Sequence, residues 1–481
     1  MPKKITMKKI FLYIAPLLIL ASCAKDLDDY NYDQKNPTVV PAGALFSNAL
    51  KELSDNITTP SVNINVFRFW VQQWTATTYQ DEPQYDFVTR NIPQAFWGAF
   101  YRDVLMDLQE SKTIASQDEE IDEAVKNNQI ACIEIASVYT WAGMVNTWGD
   151  LPYIQALNVD EHGQPTYDDA ATIYADLLRR LDAAIALINT GETGFGDADL
   201  LYGDDMAGWL KFAHSLRLRM AITLADVNPA EAQSIISESA SLAFTSNADN
   251  ASFAYQTSTP NNNPVSGALN PNFTTRQDYV GGKPFIDRLN SLSDPRRPFF
   301  FTTINGAYIG GGIGLNNEFA NTSSPSAKVI APDFEALLMD YSEVEFILAE
   351  AAERWGMGSA AEHYNKAIEA SITYWGGTSA QVAAYLAQPS VAYATAGSSW
   401  KEKIGNQKWI ALYNRGFDAW VEWKRLDYPQ LAVASGAVRP NIPYRLTYPP
   451  SEYTLNETNV NAAVSKLGAD DVSHKVFWDV N

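Results

Sequence analysis

The chemistry open to this chain is bounded first by what it could place around a reacting atom. Its four histidines, His162, His214, His363 and His474, include no pair at i, i+4 and no HExxH, so no zinc site is written into one helix. Gly310-Gly311-Gly312-Ile313-Gly314 lacks the Lys-Ser/Thr of a P-loop and reads as a turn. No GxSxG is present, and Ser398-Ser399-Trp400-Lys401 matches SxxK without its companion motifs. Carboxylates do come in pairs, as in Asp204-Asp205, Glu343/Glu345 and Asp470-Asp471. A glycosidase needs two of them facing one sugar at about 5–10 Å, which closeness along the chain does not supply; solvated faces and helix starts account for them. There is no EF-hand loop and no cofactor is expected, with an incidental Ca²⁺ site in the loops left open. The positive signal is aromatic: 12% Phe, Trp and Tyr, with 13 Trp and 24 Tyr. Asn65-Val66-Phe67-Arg68-Phe69-Trp70-Val71-Gln72-Gln73-Trp74 leads to Tyr79 and Tyr85, and the middle of the chain adds Tyr279, Phe299, Phe300, Phe301, Tyr308 and Phe319. Sugar rings present apolar C–H faces that stack on aromatic planes, while Asn, Gln, Asp and Arg bind the hydroxyls. Helical spacing gives Phe67, Trp70 and Trp74 a place in a core; Trp74 is also carried as a ligand contact. Tyr79, Tyr85, Tyr279 and Tyr308 fall in loops or at helix ends, where core and ligand roles are both open. Asn263, in the run Asn261-Asn262-Asn263, is the candidate amide.

Positioning these residues falls to helices. Apolar periodicity predicts them at about 41–55, 61–79, 93–116, 118–148, 168–189, 204–226, 229–242, 283–292, 341–355, 359–375, 378–387 and 399–426. Asp168-Asp169 precedes one start, where acids meet the positive end of the helix dipole. Asn228-Pro229 ends one helix and begins the next. Gly356 and Gly358 separate two helices into a hairpin. Small residues mark two helix pairs, with Ala136, Ala142, Gly143, Ala183 and Ala184 in one and Ala349, Ala351, Ala352, Ala367 and Ala370 in the other. That pattern suggests tetratricopeptide-like units, and generic helix packing explains it nearly as well. Residues 243–340 carry Pro260, Pro264, Pro271, Pro284, Pro295 and Pro298 and read as a loop-rich lobe with short strands; 427–460 is a second irregular segment. Long loops in a compact domain are usually functional. The fold expected is mainly α: helix pairs with a loop-rich lobe.

The front end reads as a targeting segment. Lys3, Lys4, Lys8 and Lys9 precede an apolar run, Ile10 to Ala21, of 12 residues, well short of the about 20 a spanning helix needs. The run ends in Leu20-Ala21-Ser22-Cys23, which resembles the lipobox of bacterial lipoproteins, with the Cys23 thiol as acyl acceptor. Lys25-Asp26-Leu27-Asp28-Asp29 resembles the surface-export signal of Bacteroidetes-type lipoproteins. The expected organisation is a signal peptide over 1–22, a lipidated tether over 23–40 and a binding domain over 41–481. Cys132, the other cysteine, lies among Ile130, Ala131, Ile133, Ile135 and Ala136 and reads as a small core hydrophobe, so no disulfide is expected. Loss of the leader's four lysines takes the net charge from −21 to −25. A surface so acidic repels phosphate backbones, which excludes non-specific nucleic-acid binding.

Several strings, taken in order, resemble the SusD/RagB family of nutrient-binding outer-membrane lipoproteins, in its second SusD-like branch. They include Trp148-Gly149-Asp150-Leu151-Pro152-Tyr153, Asp199-Leu200-Leu201-Tyr202-Gly203-Asp204-Asp205, and Trp209-Leu210-Lys211-Phe212-Ala213-His214-Ser215-Leu216-Arg217-Leu218-Arg219. Asp294-Pro295-Arg296, Tyr341-Ser342-Glu343-Val344-Glu345-Phe346 and Gln407-Lys408-Trp409-Ile410-Ala411-Leu412 follow. Ala419-Trp420-Val421-Glu422-Trp423-Lys424-Arg425 and Ile442-Pro443-Tyr444-Arg445-Leu446-Thr447-Tyr448-Pro449 complete them, with His214 where Asn is expected and Lys424 where Arg is expected. The resemblance implies a lipid-anchored lid on a TonB-dependent, SusC-like barrel transporter. The lid traps an oligosaccharide, or in some members a peptide, without catalysis. It also implies that the shared strings are scaffold and that ligand residues vary. Replacing Tyr279 or Tyr308 by Ala is expected to weaken binding without unfolding the chain. A surface glycoside hydrolase is the rival reading, and a purely structural lipoprotein a third.

Overall fold

Several helices in this chain begin where a short oxygen-bearing side chain caps a free backbone N–H group. In chain order, α1 is Ala42–Thr58 and α2 a single turn, Phe67–Trp70, followed by β1, Trp74–Ala76. α3, Ile92–Gly98, passes through a π-helical stretch, Ala99–Leu105, into α4, Met106–Gln117. α5, Glu123–Trp148, is buried on nearly every side, as a helix apolar all round must be. The short strands β2, Leu151–Pro152, and β3, Tyr167–Asp168, pair and lead to α6, Ala170–Leu187, where the Asp169 carboxylate accepts from Thr172 N. Asp205 caps α7, Met206–Thr223, and Pro229 opens α8, Pro229–Ser239.

The lobe follows, with β4, Ala251–Phe253, α9, Pro264–Leu269, and β5, Tyr279–Gly281. Next come α10, Lys283–Ser291, α11, Arg297–Phe300, and β6, Ala336–Met339. The helices then resume. α12, Tyr341–Trp355, is capped by Asp340 and ended by left-handed Gly356; α13, Ala360–Trp375, is capped by Ser359. α14, Ser379–Leu386, opens with a Thr378/Gln381 capping box. α15, Trp400–Ala411, starts at Ser399, and α16 spans Gly416–Leu426. α17, Pro450–Leu455, and α18, Glu457–Leu467, close the chain.

The computed structural model describes residues 40–480. The segments expected to be a signal peptide (1–22) and a lipidated tether (23–40), Cys23 included, lie outside the described residues up to residue 39, and the chain from Ala42 onward forms one unit. Helices pack in sequential pairs, α5 on α6, α7 on α8, α12 on α13 and α15 on α16. Ala136, Ala184, Ala349 and Ala367 are buried in these pairs, which lets the helices approach closely, whereas Ala183 faces outward. β1 pairs antiparallel with β5, and β4 with β6. One contiguous apolar cluster runs from α1 through the pairs into the lobe and contains Cys132.

Three expectations are corrected. The helix over 61–79 shrinks to the single turn α2, because Gln72 is left-handed at φ 57° and the chain then extends to pair with β5. The helix over 399–426 is broken at Asn414, left-handed at φ 69°. The irregular segment over 427–460 holds α17, which starts at Pro450 with proline in its first turn.

Candidate ligand-binding site

The site is built where β1 meets β5. Pairing sets Ala76 opposite Tyr279, Thr75 opposite Val280 and Trp74 opposite Gly281. The register continues past the strands: Thr77 N donates to the Asp278 carbonyl at 2.8 Å, and Thr77 Oγ1 donates to Gln277 O at 2.8 Å. Glycine is required directly behind. A Cβ on Gly282 would stand 2.2 Å from the Gln72 carbonyl oxygen, so only glycine lets the two segments close. The glycine-rich turn beyond it is held by Asn317, which donates to Ala76 O at 2.8 Å and accepts from Gly312 N at 2.8 Å.

Two cavities flank this pairing. The first, about 440 Å³, has polar walls that include Thr59, Ser61, Asn63, Thr78, Tyr79, Arg90, Arg276, Asp278 and Tyr279. The second, about 530 Å³, is lined by Leu269, Pro271, Thr274, Thr275, Arg276, Gln277, Tyr279, Thr302, Phe319, Ser324, Pro325, Ala327 and Ile330. Arg276 and Tyr279 belong to both. Volumes of this size are those of small-ligand sites. Tyr79 is 61% exposed, and its backbone is left-handed at φ 59°. The Arg90 guanidinium lies 5.6 Å from its ring centroid while pairing with Glu82. Tyr279 is only 7% exposed, and its ring stacks on Trp74 at 6.0 Å and 25°. Burial, reinforced by Asp278, pushes its phenol pKa up, so the hydroxyl stays neutral.

Trp74 is the floor under Tyr279. It is fully buried, donates from Nε1 to Tyr413 Oη at 3.1 Å, and carries the Arg68 guanidinium 5.1 Å from its ring. Arg68 holds this floor to the end of α1 and to the break before α16 by donating to the Thr58, Thr59 and Asn414 carbonyls. Burial lowers its pKa to about 10.

The sequence candidates separate accordingly. Tyr79 and Tyr279 come together on one cavity. Trp74 supports Tyr279 from below and is itself buried out of a ligand's reach. Tyr85 is fully buried, its hydroxyl accepting from Ala434 N. Asn263 is equally buried: its side chain caps α9 through Val265 N and donates to Phe334 O. Both are corrected from ligand contacts to structural residues. Tyr308 is half-buried under Arg297, 5.3 Å away, and lines neither cavity. Sequence reasoning missed Arg90, Arg276, Thr78 and Asp278, and left Phe319 among the general aromatics; no local pattern distinguishes them.

The paired carboxylates have structural work. Asp204 accepts from Gly194 N and Gly196 N, Asp205 caps α7, and Glu345 pairs with His363. Glu343 is held by Arg219 and Arg415, and Asp470 by Arg445. Ser399, inside the SxxK match, caps α15. Among the described residues no group of three or more His, Cys, Asp or Glu could hold a metal. No described helix is long and apolar enough to cross a membrane.

A family profile described as SusD-like, starch-binding and associating with the outer membrane, matches residues 34–449. The chain belongs to the SusD-like family. Solved SusD-like relatives share the architecture. A chitin-binding protein is 26% identical over 92% of this chain and 100% of its own, with a TM-score of 0.78. A SusD homolog from Bacteroides uniformis is 25% identical over 91% and 99%, at 0.76. A chitin-binding SusD homolog from Flavobacterium johnsoniae is 23% identical over 91% and 99%, at 0.77. Among curated proteins no relative matches. The strings that carry the SusD-like resemblance are scaffold in this chain. Asp294 and Arg296 form a wholly buried pair, Trp148 Nε1 donates to Thr447 O, and Glu350 takes both Arg425 nitrogens at 2.6 Å. Lys424 fills its arginine-like place by donating to Asn146 O and Tyr444 O. Buried His214 sits within α7, its pKa lowered by desolvation.

Proposed function

We propose that this SusD-like protein is a surface-exposed outer-membrane lipoprotein, anchored through Cys23. It captures an oligosaccharide in the paired cavities and passes it to a TonB-dependent, SusC-like barrel, over which it sits as a lid. The observation that carries the binding role is the exposed Tyr79 ring beside a polar-walled cavity backed by Tyr279 and Trp74. A sugar can stack there while Asn63, Thr78 and Arg90 take its hydroxyls. Binding is favoured over hydrolysis because Asp278 is the one carboxylate on the walls of either cavity, and it accepts from Arg276 at 2.5 Å. A glycosidase needs two carboxyls across one sugar. The chitin-binding relative at 26% identity puts N-acetylated glycans first among ligands to try. An acyl anchor holds the binder beside its transporter and raises its effective concentration there.

The test has two arms. The soluble form lacking residues 1–23 is titrated with chito-, cello- and malto-oligosaccharides and with peptides. Saturable sugar binding with no cleavage product supports the reading; released sugars, or binding of peptides alone, overturn it. In cells, radiolabelled palmitate is expected in the wild-type chain and absent from Cys23→Ser, which should leave the membrane fraction. Labelling that persists in the variant would place the anchor elsewhere.

A further inference from the structure

The two cavities meet at Tyr279 and Arg276 but differ in chemistry. The first is walled by hydroxyls and charges, Thr59, Thr78, Arg90 and Asp278 among them. The second presents more apolar surface, from Leu269, Pro271, Phe319, Pro325, Ala327 and Ile330, with polar groups added by Thr274, Thr275, Gln277, Thr302 and Ser324. A plain polyol suits the first and gains little from the second, because apolar surface favours a ligand that brings apolar surface of its own. At the divide, Arg276 is exposed and paired only with Asp278 along its own loop. An exposed pair of that kind is weak, so its guanidinium can turn to donate to a ligand carbonyl oxygen at little cost.

We infer that one ligand lies across both cavities and that it is an N-acylated oligosaccharide: its hydroxyl-bearing rings occupy the polar cavity, and its acyl methyl groups enter the apolar one past Arg276. This rests on the oligosaccharide reading above and names its substrate class and length dependence. A ligand filling one cavity leaves the other in water, so affinity must rise with chain length until both are occupied, and the rise must depend on the acyl groups.

The experiment compares chito-oligosaccharides of two and four sugars with cello-oligosaccharides of the same lengths, which share the backbone linkage and lack the acetamido groups. Binding is measured by calorimetry on the soluble form and on Ala327→Trp. Ala327 is exposed on the wall of the apolar cavity, so the indole fills that space without disturbing the core; a thermal melt checks that the variant is folded. The four-sugar acetylated chain is expected to bind at least about tenfold more tightly than the two-sugar one. The cello series should lack that gain, and Ala327→Trp should bring the two acetylated affinities together. An equal gain in both series, or a gain that survives in Ala327→Trp, overturns the two-cavity proposal and leaves the oligosaccharide reading standing. Absence of binding at every length, in these and in the malto series, overturns both.

Discussion

Tyr79 and Tyr279 face one cavity yet carry different loads. The Tyr79 ring is mostly in water and touches Arg90, so little of the fold rests on it. Tyr279 is a strand residue stacked on Trp74 and tilted against Phe69 at 5.6 Å. Tyr79→Ala is therefore expected to weaken oligosaccharide binding about tenfold while changing stability by no more than about 0.5 kcal/mol, as surface substitutions do. Tyr279→Ala should lose binding and also about 3 kcal/mol of stability, because it opens a hole over a buried indole. The variant is still expected to fold, at lower stability. Paired thermal melts and titration isotherms separate the two residues; equal stability losses would contradict the assignment of Tyr79 to the ligand and Tyr279 to ligand and fold together.

Between elements, ion pairs rather than apolar contact alone set how the helix pairs dock. Glu343 on α12 accepts from Arg219 on α7 at 2.6 and 2.7 Å and from Arg415, just before α16, at 2.6 Å. A second clamp joins Glu350 on α12 to Arg425 on α16, with Arg354 joining from α12 itself. These groups are removed from water, so deleting one charge strands its partners. Glu343→Gln leaves Arg219 and Arg415 facing a neutral amide and is expected to cost about 3–5 kcal/mol. The loss should appear as a lower urea midpoint with an unchanged slope. A midpoint within error of wild type would show that the clamp does not hold the pairs together.

At the scale of the whole molecule the same pairs decide acid tolerance. Burial alone would raise the Glu422 carboxyl, but Arg425 and Lys408 outweigh it and hold the group at about 2. Glu343 is likewise buried, yet Arg219 and Arg415 hold it well below the carboxylate range. A carboxyl whose pKa is lower folded than unfolded contributes stability that is full above its ordinary value and fades as the pH falls toward its folded value. Asp340, raised by burial against the pull of Arg415, works in the opposite sense and offsets part of it. Stability should therefore drop steeply between about pH 4.5 and pH 2. Glu422→Gln should start lower at pH 7 and fall less over that interval in urea titrations at each pH. Parallel curves for the two proteins would remove Glu422 from the acid response.

The sequence by itself determined what local physics controls. Asp169, Asn228-Pro229 and Gly356 fix helix ends because capping and left-handed turns are settled within a few residues of chain, and the lone Cys132 among aliphatics could only be core. The SusD-like strings were legible by their order along the chain, and the fold buries and pairs their residues across it, Trp148 with Thr447 and Glu350 with Arg425. Tertiary structure alone decided which aromatics line the cavities. The spacing of Phe67, Trp70 and Trp74 suits a helical face, yet a left-handed Gln72 and the partner strand turn Trp74 into a floor. Tyr85 and Asn263 look like loop residues and are buried, because segments remote in the chain, Ala434 and Phe334, come to meet them. Arg276 and Phe319 reach the site only through the pairing of β1 with β5 and the loops packed on it. A ligand site is a relation between distant segments, and that relation is written in long-range packing rather than in any window of sequence.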